Sequence, residues 1–237
     1  MDMSARCIKR LLVWLAFCAL AAAPQARAGI ISVTQHTNVG ATLDLDPLAV
    51  YTHKLDFPAD GQSAPINGVQ FSAVGAGSGL LDPLTGYHYS LTMSNPSNWG
   101  AGSPTLLWDF IHNGGQQAGS TETLTLSDLT AGVYYEVDLY YRDFGPRPNT
   151  VAADLGGGPI SLGTLDETPV GASNQAYWAI VYKAESSSIA LSFSQQQFNN
   201  SWHQYLVSNH EVVPEPATLS LLALGGLGLL RRRRRKA

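Results

Sequence analysis

Val133-Tyr134-Tyr135-Glu136-Val137-Asp138-Leu139-Tyr140-Tyr141-Arg142 alternates without a break: Val133, Tyr135, Val137, Leu139 and Tyr141 fall on one side of an extended chain. Tyr134, Glu136, Asp138, Tyr140 and Arg142 fall on the other. A period of two in β-branched and aromatic residues marks a strand with one face buried. Shorter runs of the same kind lie on both sides, at 30–34, 49–57, 68–74, 87–93, 122–126, 150–155, 176–183, 188–194 and 202–208. Gly, Pro, Asn and Ser clusters separate them, and no long helical period intervenes. Nine or ten such strands predict two packed sheets, an all-β jelly roll or β-sandwich.

One segment departs from the pattern. Ser103-Pro104-Thr105-Leu106-Leu107-Trp108-Asp109-Phe110-Ile111-His112-Asn113-Gly114 carries a Ser cap, Pro in the first turn, apolar residues at helical spacing and a terminal Gly. It predicts one short amphipathic helix closing an end of the sandwich. Residues 75–79 read as a loop or bulge, and Gly156-Gly157-Gly158-Pro159 as a hairpin end.

The chain of 237 residues divides into three unlike parts: 1–28, 29–211 and 212–237. Of its 14 Lys and Arg, the middle part keeps only Lys54, Arg142, Arg147 and Lys183, against 16 of the 18 acids, a formal charge of 4 minus 16, or −12. A nucleic-acid-binding surface needs clustered basic residues, so that class of partner is excluded. Both cysteines, Cys7 and Cys18, lie in the first part. The middle therefore has no disulfide, thiolate metal site or cysteine nucleophile.

Residues 1–28 have basic Arg6, Lys9 and Arg10, an apolar run and then Ala26-Arg27-Ala28. That is the form of a secretory signal helix, with signal peptidase expected to cut between Ala28 and Gly29. At the other end, Val212-Val213-Pro214-Glu215-Pro216 precedes an uncharged run, 217–230, and then Arg231, Arg232, Arg233, Arg234, Arg235 and Lys236. As a helix the uncharged run rises about 21 Å, short of a hydrocarbon core of about 30 Å, a gap that snorkelling arginines and local thinning reduce. The arginines read as a stop-transfer flank, with the main domain on the outer side.

This tripartite end resembles the PEP-CTERM sorting signal of Gram-negative bacteria. The resemblance implies that an exosortase recognises Pro214-Glu215-Pro216 and processes the tail, so the protein is a substrate of sorting and not a catalyst. It further implies a protein held transiently in the inner membrane by a C-terminal transmembrane helix, then placed at the cell surface or released. Proteins with this signal are associated with exopolysaccharide and biofilm. The prolines suit the motif physically, because each blocks helix propagation and keeps it extended.

The middle part resembles the galactose-binding-like jelly rolls of exported bacterial proteins. The likeness is carried by Ile66-Asn67-Gly68-Val69-Gln70-Phe71, by Leu124-Thr125-Leu126-Ser127-Asp128-Leu129-Thr130-Ala131-Gly132 running into the strand quoted above, and by Tyr205-Leu206-Val207-Ser208-Asn209.

Catalytic motifs are absent from the sequence. Gly75-Ala76-Gly77-Ser78-Gly79 misses the nucleophile-elbow spacing by one residue, no His-Glu-x-x-His or phosphate loop occurs, and the six histidines are scattered singly. Asp44 and Asp46 would share one side of an extended chain and form a weak candidate for Ca2+ beside backbone carbonyls, against the alternative of a solvated edge. Aromatic rings that stack on sugars make the stronger candidates. Trp99 and Trp202 both stand in Asn- and Ser-rich loop composition, and Arg142-Asp143 follows the long strand as a rim charge pair. These residues predict a non-enzymatic domain that holds extracellular polysaccharide. A purely structural matrix protein and a glycan-active enzyme remain as alternatives.

Overall fold

The computed structural model describes residues 29–213 except 38, 41–42, 59–60, 64, 101–106, 108, 115–116 and 169–174. The signal segment, the Pro214-Glu215-Pro216 motif and the arginine run lie outside the described residues, as do 103–106 and 108 of the expected helix. Among the described residues no helix is long and apolar enough to cross a membrane.

Among the described residues fifteen strands follow one another. The first seven are β1 (Ile30–Thr37), β2 (Tyr51–Asp56), β3 (Ser72–Ala73), β4 (Gly77–Leu81), β5 (His88–Met93), β6 (Pro96–Trp99) and β7 (Phe110–Asn113). After them come β8 (Thr121–Ser127), β9 (Tyr134–Arg142), β10 (Asn149–Asp154) and β11 (Pro159–Leu165). The last four are β12 (Gln175–Lys183), β13 (Ser188–Gln195), β14 (His203–Gln204) and β15 (Leu206–Glu211).

They form one six-stranded sheet in the order β1-β12-β9-β15-β2-β3 and a second in the order β11-β10-β13-β8-β5-β4, with a three-stranded ribbon β14-β7-β6. The long alternating run is β9, near the middle of the first sheet between β12 and β15. Tyr135, Val137 and Leu139 meet Leu124, Leu126, Val151, Leu191 and Phe193 from the second sheet in one core. This is the expected all-β sandwich, whose inner faces interdigitate.

The other face of β9 is not left to solvent. Asp138 and Tyr140 are buried, because the segment around Leu43 and Leu45 and the turn at Ile66 and Val69 lie over the outer side of the first sheet as a second core.

Two local expectations change, and a third is refined. Phe110-Ile111-His112-Asn113 is the strand β7 and not a helix, and Leu107 just before it has a left-handed backbone, φ 55°. All four side chains of β7 are buried, so the period of two that announces a half-exposed strand is missing from its sequence. The 75–79 stretch, expected as a loop or bulge, runs into β4, whose pairing with β5 shifts between Gly77 and Leu80, a bulge. Asp44 does not lie on extended chain: Leu43 and Asp44 turn with φ 51° and 53°.

Candidate functional site: an aromatic and arginine rim

β9 fixes the two ends of the sandwich. At its Tyr134 end the backbone amide of Val212 donates to the Tyr134 carbonyl, and Lys183, paired with Tyr134, donates to the carbonyl of Gly29. Both ends of the described body therefore leave from this proximal end. Arg142 closes the strand at the distal end, eight residue steps or about 27 Å away.

The distal end carries the ribbon. Its pairing sets Trp99 beside Phe110 and His112 beside His203. The Trp99 ring stacks on Phe110, centroids 5.8 Å apart and planes 10° apart, and meets Phe144 edge-on at 5.2 Å. Phe110 in turn stacks on His203 at 3.9 Å and lies 4.8 Å from Tyr205. Trp99 thus rests on a floor of rings that fixes its orientation, while 44% of it stays exposed.

Beside it runs Asp143-Phe144-Gly145-Pro146-Arg147-Pro148-Asn149, facing Gln197-Phe198-Asn199-Asn200 across an open cleft of about 520 Å³. Two prolines bracket Arg147 and restrict its backbone. Its amide donates to Asp166 Oδ1 at 2.7 Å, and its Nη1 donates to the Asn199 carbonyl at 2.8 Å. Asn149, buried between the two segments, donates through Nδ2 to the carbonyls of Arg147 (3.0 Å) and Asn200 (3.1 Å). The cleft walls are therefore tied to each other by side chains. Arg147 and Arg142 both lie over the Phe144 ring, at 5.1 and 5.5 Å from its centroid. Phe198, between the lining residues Gln197 and Asn199 in sequence, is 72% exposed.

Beneath the rings lie ionisable groups closed to solvent. Glu167 accepts from the His203 amide at 2.8 Å through Oε1, and its Oε2 lies 2.9 Å from His203 Nδ1. Burial pushes the Glu167 carboxyl well above the usual carboxylate range. Burial, then the Arg147 charge, holds the His203 imidazole well below its ordinary value. Both shifts favour the uncharged forms. Glu122 on β8 accepts from Gln204 Nε2 at 2.9 Å, and burial raises its carboxyl to about 8.

The expected site residues fall into three groups. Trp99, Arg142 and Asp143 come together at the distal rim, with the Asp143 Oδ1 turned to the Gly145 amide at 3.0 Å. Trp202 does not join them: 1% exposed, it stacks on Phe193 at 5.1 Å inside the sandwich and presents no face to a ligand. Asp44 and Asp46 are exposed in a turn, where Asp46 Oδ1 caps the Leu48 amide at 2.8 Å. Among the described residues no three His, Cys, Asp or Glu side chains group as metal ligands. Sequence reading passed over Phe144, Arg147 and Phe198. The Pro146-Arg147-Pro148 bracket is the signal in the chain that points to a fixed arginine.

An all-β exported domain carrying a sorting tail is the class these features define. Residues 212–235 match the PEP-CTERM protein-sorting motif, which marks an exported protein processed by an exosortase in a Gram-negative-type envelope. No curated protein sequence matches the chain. Among solved structures, a 4-O-methyl-alpha-glucuronidase of family GH115 with specificity for decorated arabinogalactans is similar at 16% identity, over 64% of this chain and 19% of that one, with a TM-score of 0.34. An exo-beta-1,3-galactanase from Phanerochaete chrysosporium with beta-1,3-galactotriose is similar at 16% identity, over 62% and 32%, with a TM-score of 0.35. The enzymatically active domain of tailspike protein 4 of bacteriophage CBA120 is similar at 14%, over 58% and 20%, with a TM-score of 0.29. This chain thus spans a third or less of the length of each.

Proposed function

We propose that the protein is a non-enzymatic surface or secreted protein whose galactose-binding-like jelly roll holds extracellular polysaccharide at the distal rim. The observation that carries this reading is Trp99: an exposed ring, braced by Phe110 and Phe144, at the end opposite the exit to the sorting tail. A flat ring fixed in place stacks on the apolar face of a pyranose at little entropic cost, and the cleft beside it offers the Asn199 and Asn200 amides to hydroxyls. In this reading the tail end serves for anchoring or release, leaving the rim outward.

The carboxyls under the rim support a binding role over catalysis. Glycoside hydrolysis needs two carboxyls that reach the scissile bond. Glu122 and Glu167 are 2% and 0% exposed, enclosed under the rings and committed to Gln204 and His203.

Binding of the full chain, in mild detergent, to the producing cell's own exopolysaccharide tests the reading. Wild-type protein should bind saturably, and Trp99→Ala should weaken binding about tenfold with its near-ultraviolet circular dichroism otherwise retained. Matrix association unchanged in Trp99→Ala would move the protein to the structural class. Release of reducing ends that is lost in a single Asp or Glu variant would make it an enzyme.

A further inference from the structure

Four of the eight large apolar side chains exposed among the described residues, Ile31, Leu48, Val50 and Val213, belong to the proximal end. The Val50 carbonyl accepts from the Glu211 amide at 3.2 Å, one residue before the Val212 amide bonds to Tyr134 at 3.0 Å. Val50 and Val213 therefore flank the point where the chain leaves the sandwich. Leu48 is 89% exposed on a turn whose backbone is fixed. Asp46 Oδ1 caps its amide at 2.8 Å, and the Asp46 carbonyl accepts from the Tyr51 hydroxyl at 3.0 Å. Ile31 is the extra residue of a β-bulge, between Ile30 paired with Tyr182 and Ser32 paired with Val181, at the sheet edge next to Gly29. Scattered exposed apolar residues are ordinary, whereas a group of them at one end marks a contact surface.

Both terminal segments join the body at this end with almost no linker. Gly29 directly follows the signal segment, and four steps of chain, at most about 14 Å, separate Val213 from the uncharged run that begins at Ala217. β9, nine residues long, spans about 27 Å, so a tether of that length cannot let the distal end turn to the bilayer.

Resting on the reading that the 217–230 run is held in a bilayer, we infer that the proximal end is a membrane seat. Ile31, Leu48, Val50 and Val213 enter the interfacial layer of the lipid that holds the tail, and the sandwich stands upright with the Trp99 rim outward. Tyr134, half-buried beside Val212, and Lys183, 5.6 Å over its ring, suit the headgroup level, where amphipathic rings and snorkelling ammonium groups settle. Glu185 and Glu211 are exposed at the same end, so the contact comes from apolar burial and not from attraction to anionic headgroups. A few apolar side chains without a span bind lipid only weakly, so cutting the tail frees the domain.

The test uses the full chain, with Cys7→Ser and Cys18→Ser, in phosphatidylcholine vesicles containing a shallow spin-labelled lipid. A fluorophore on Ile31→Cys should be quenched, and one on Thr121→Cys, at the start of β8 near Glu122, should not. Adding Leu48→Ser and Val50→Ser should lower the Ile31 quenching about threefold while the chain still floats with the vesicles. About 0.5 M salt should leave the quenching unchanged. Ile31 quenching that ignores the two serines would reduce the contact to tether length and overturn the seat, as would equal quenching at Thr121 or loss in salt. A chain that floats without quenching at Ile31 would overturn the seat and leave the tail in the bilayer. A chain that does not float would overturn both, with the polysaccharide reading untouched.

Discussion

Glu122, the second residue of β8, has its carboxyl enclosed, accepting from Gln204 Nε2 and from the Asn113 backbone, and its Oε2 has no partner. Burial raises it from 4.5 to about 8. The folded state therefore holds a proton that the unfolded chain releases. Stability from this group is complete below about 4.5 and falls as pH rises towards 8, by at most about 1.4 kcal/mol per pH unit. Glu167 and Asp138 are raised in the same direction, while His53, His112, His203 and His210 are lowered and oppose it at acid pH. Glu122→Gln keeps an acceptor for Gln204 and removes the titration. Chemical unfolding from pH 5 to 9 should show the variant gaining on the wild type as pH rises; a constant difference across that range would refute the assignment. The two tryptophans show the limits of residue-level reading. Trp99 and Trp202 stand in Asn- and Ser-rich stretches of almost the same composition, yet one ends β6 on the rim and the other lies inside the core.

At the scale of elements, the hairpin of β4 and β5 is clamped by a single buried carboxylate. Asp82 accepts through Oδ2 from the Lys54 amide at 2.9 Å and through Oδ1 from the Leu84 amide at 3.0 Å and the Ser72 hydroxyl. One residue thus joins the edge hairpin of the second sheet to β2 and β3 of the first. Asp82→Ala removes the acceptor of three donors, the buried Ser72 hydroxyl among them, and should cost about 3 kcal/mol. The loss should register in chemical denaturation, with faster hydrogen exchange at Leu80 and Leu81, and an unchanged midpoint would refute the clamp. Its sequence setting, Leu81-Asp82-Pro83, reads only as a turn, because the partners at Lys54 and Ser72 lie far along the chain. β9 was legible because one of its faces packs across the sandwich and alternation is visible within the strand itself. β7 was not, because it is buried on every side and its apolar spacing fits a helix equally well.

For the whole molecule, the rim and the tail occupy opposite ends. β15 delivers the chain to Val212 at the proximal end, immediately before the sorting motif. Replacing Pro214, Glu215 and Pro216 together with alanine should leave a larger, unprocessed, membrane-held form in cell fractions, while the binding at the rim stays as in wild type. Normal processing of that variant would refute recognition at this motif. The sequence by itself determined the all-β class and the sorting tail, because strand alternation and a sorting signal are both local in the chain. It also placed Trp99 and Arg142 among the candidates. Only the tertiary structure decided that Trp202 is core, that Phe144 and Arg147 stand with Trp99, and that these gather at the end remote from the tail. Each of those facts depends on contacts between residues far apart in sequence, set by strand register and by which face a second layer covers, and neither is written in any single stretch of the chain.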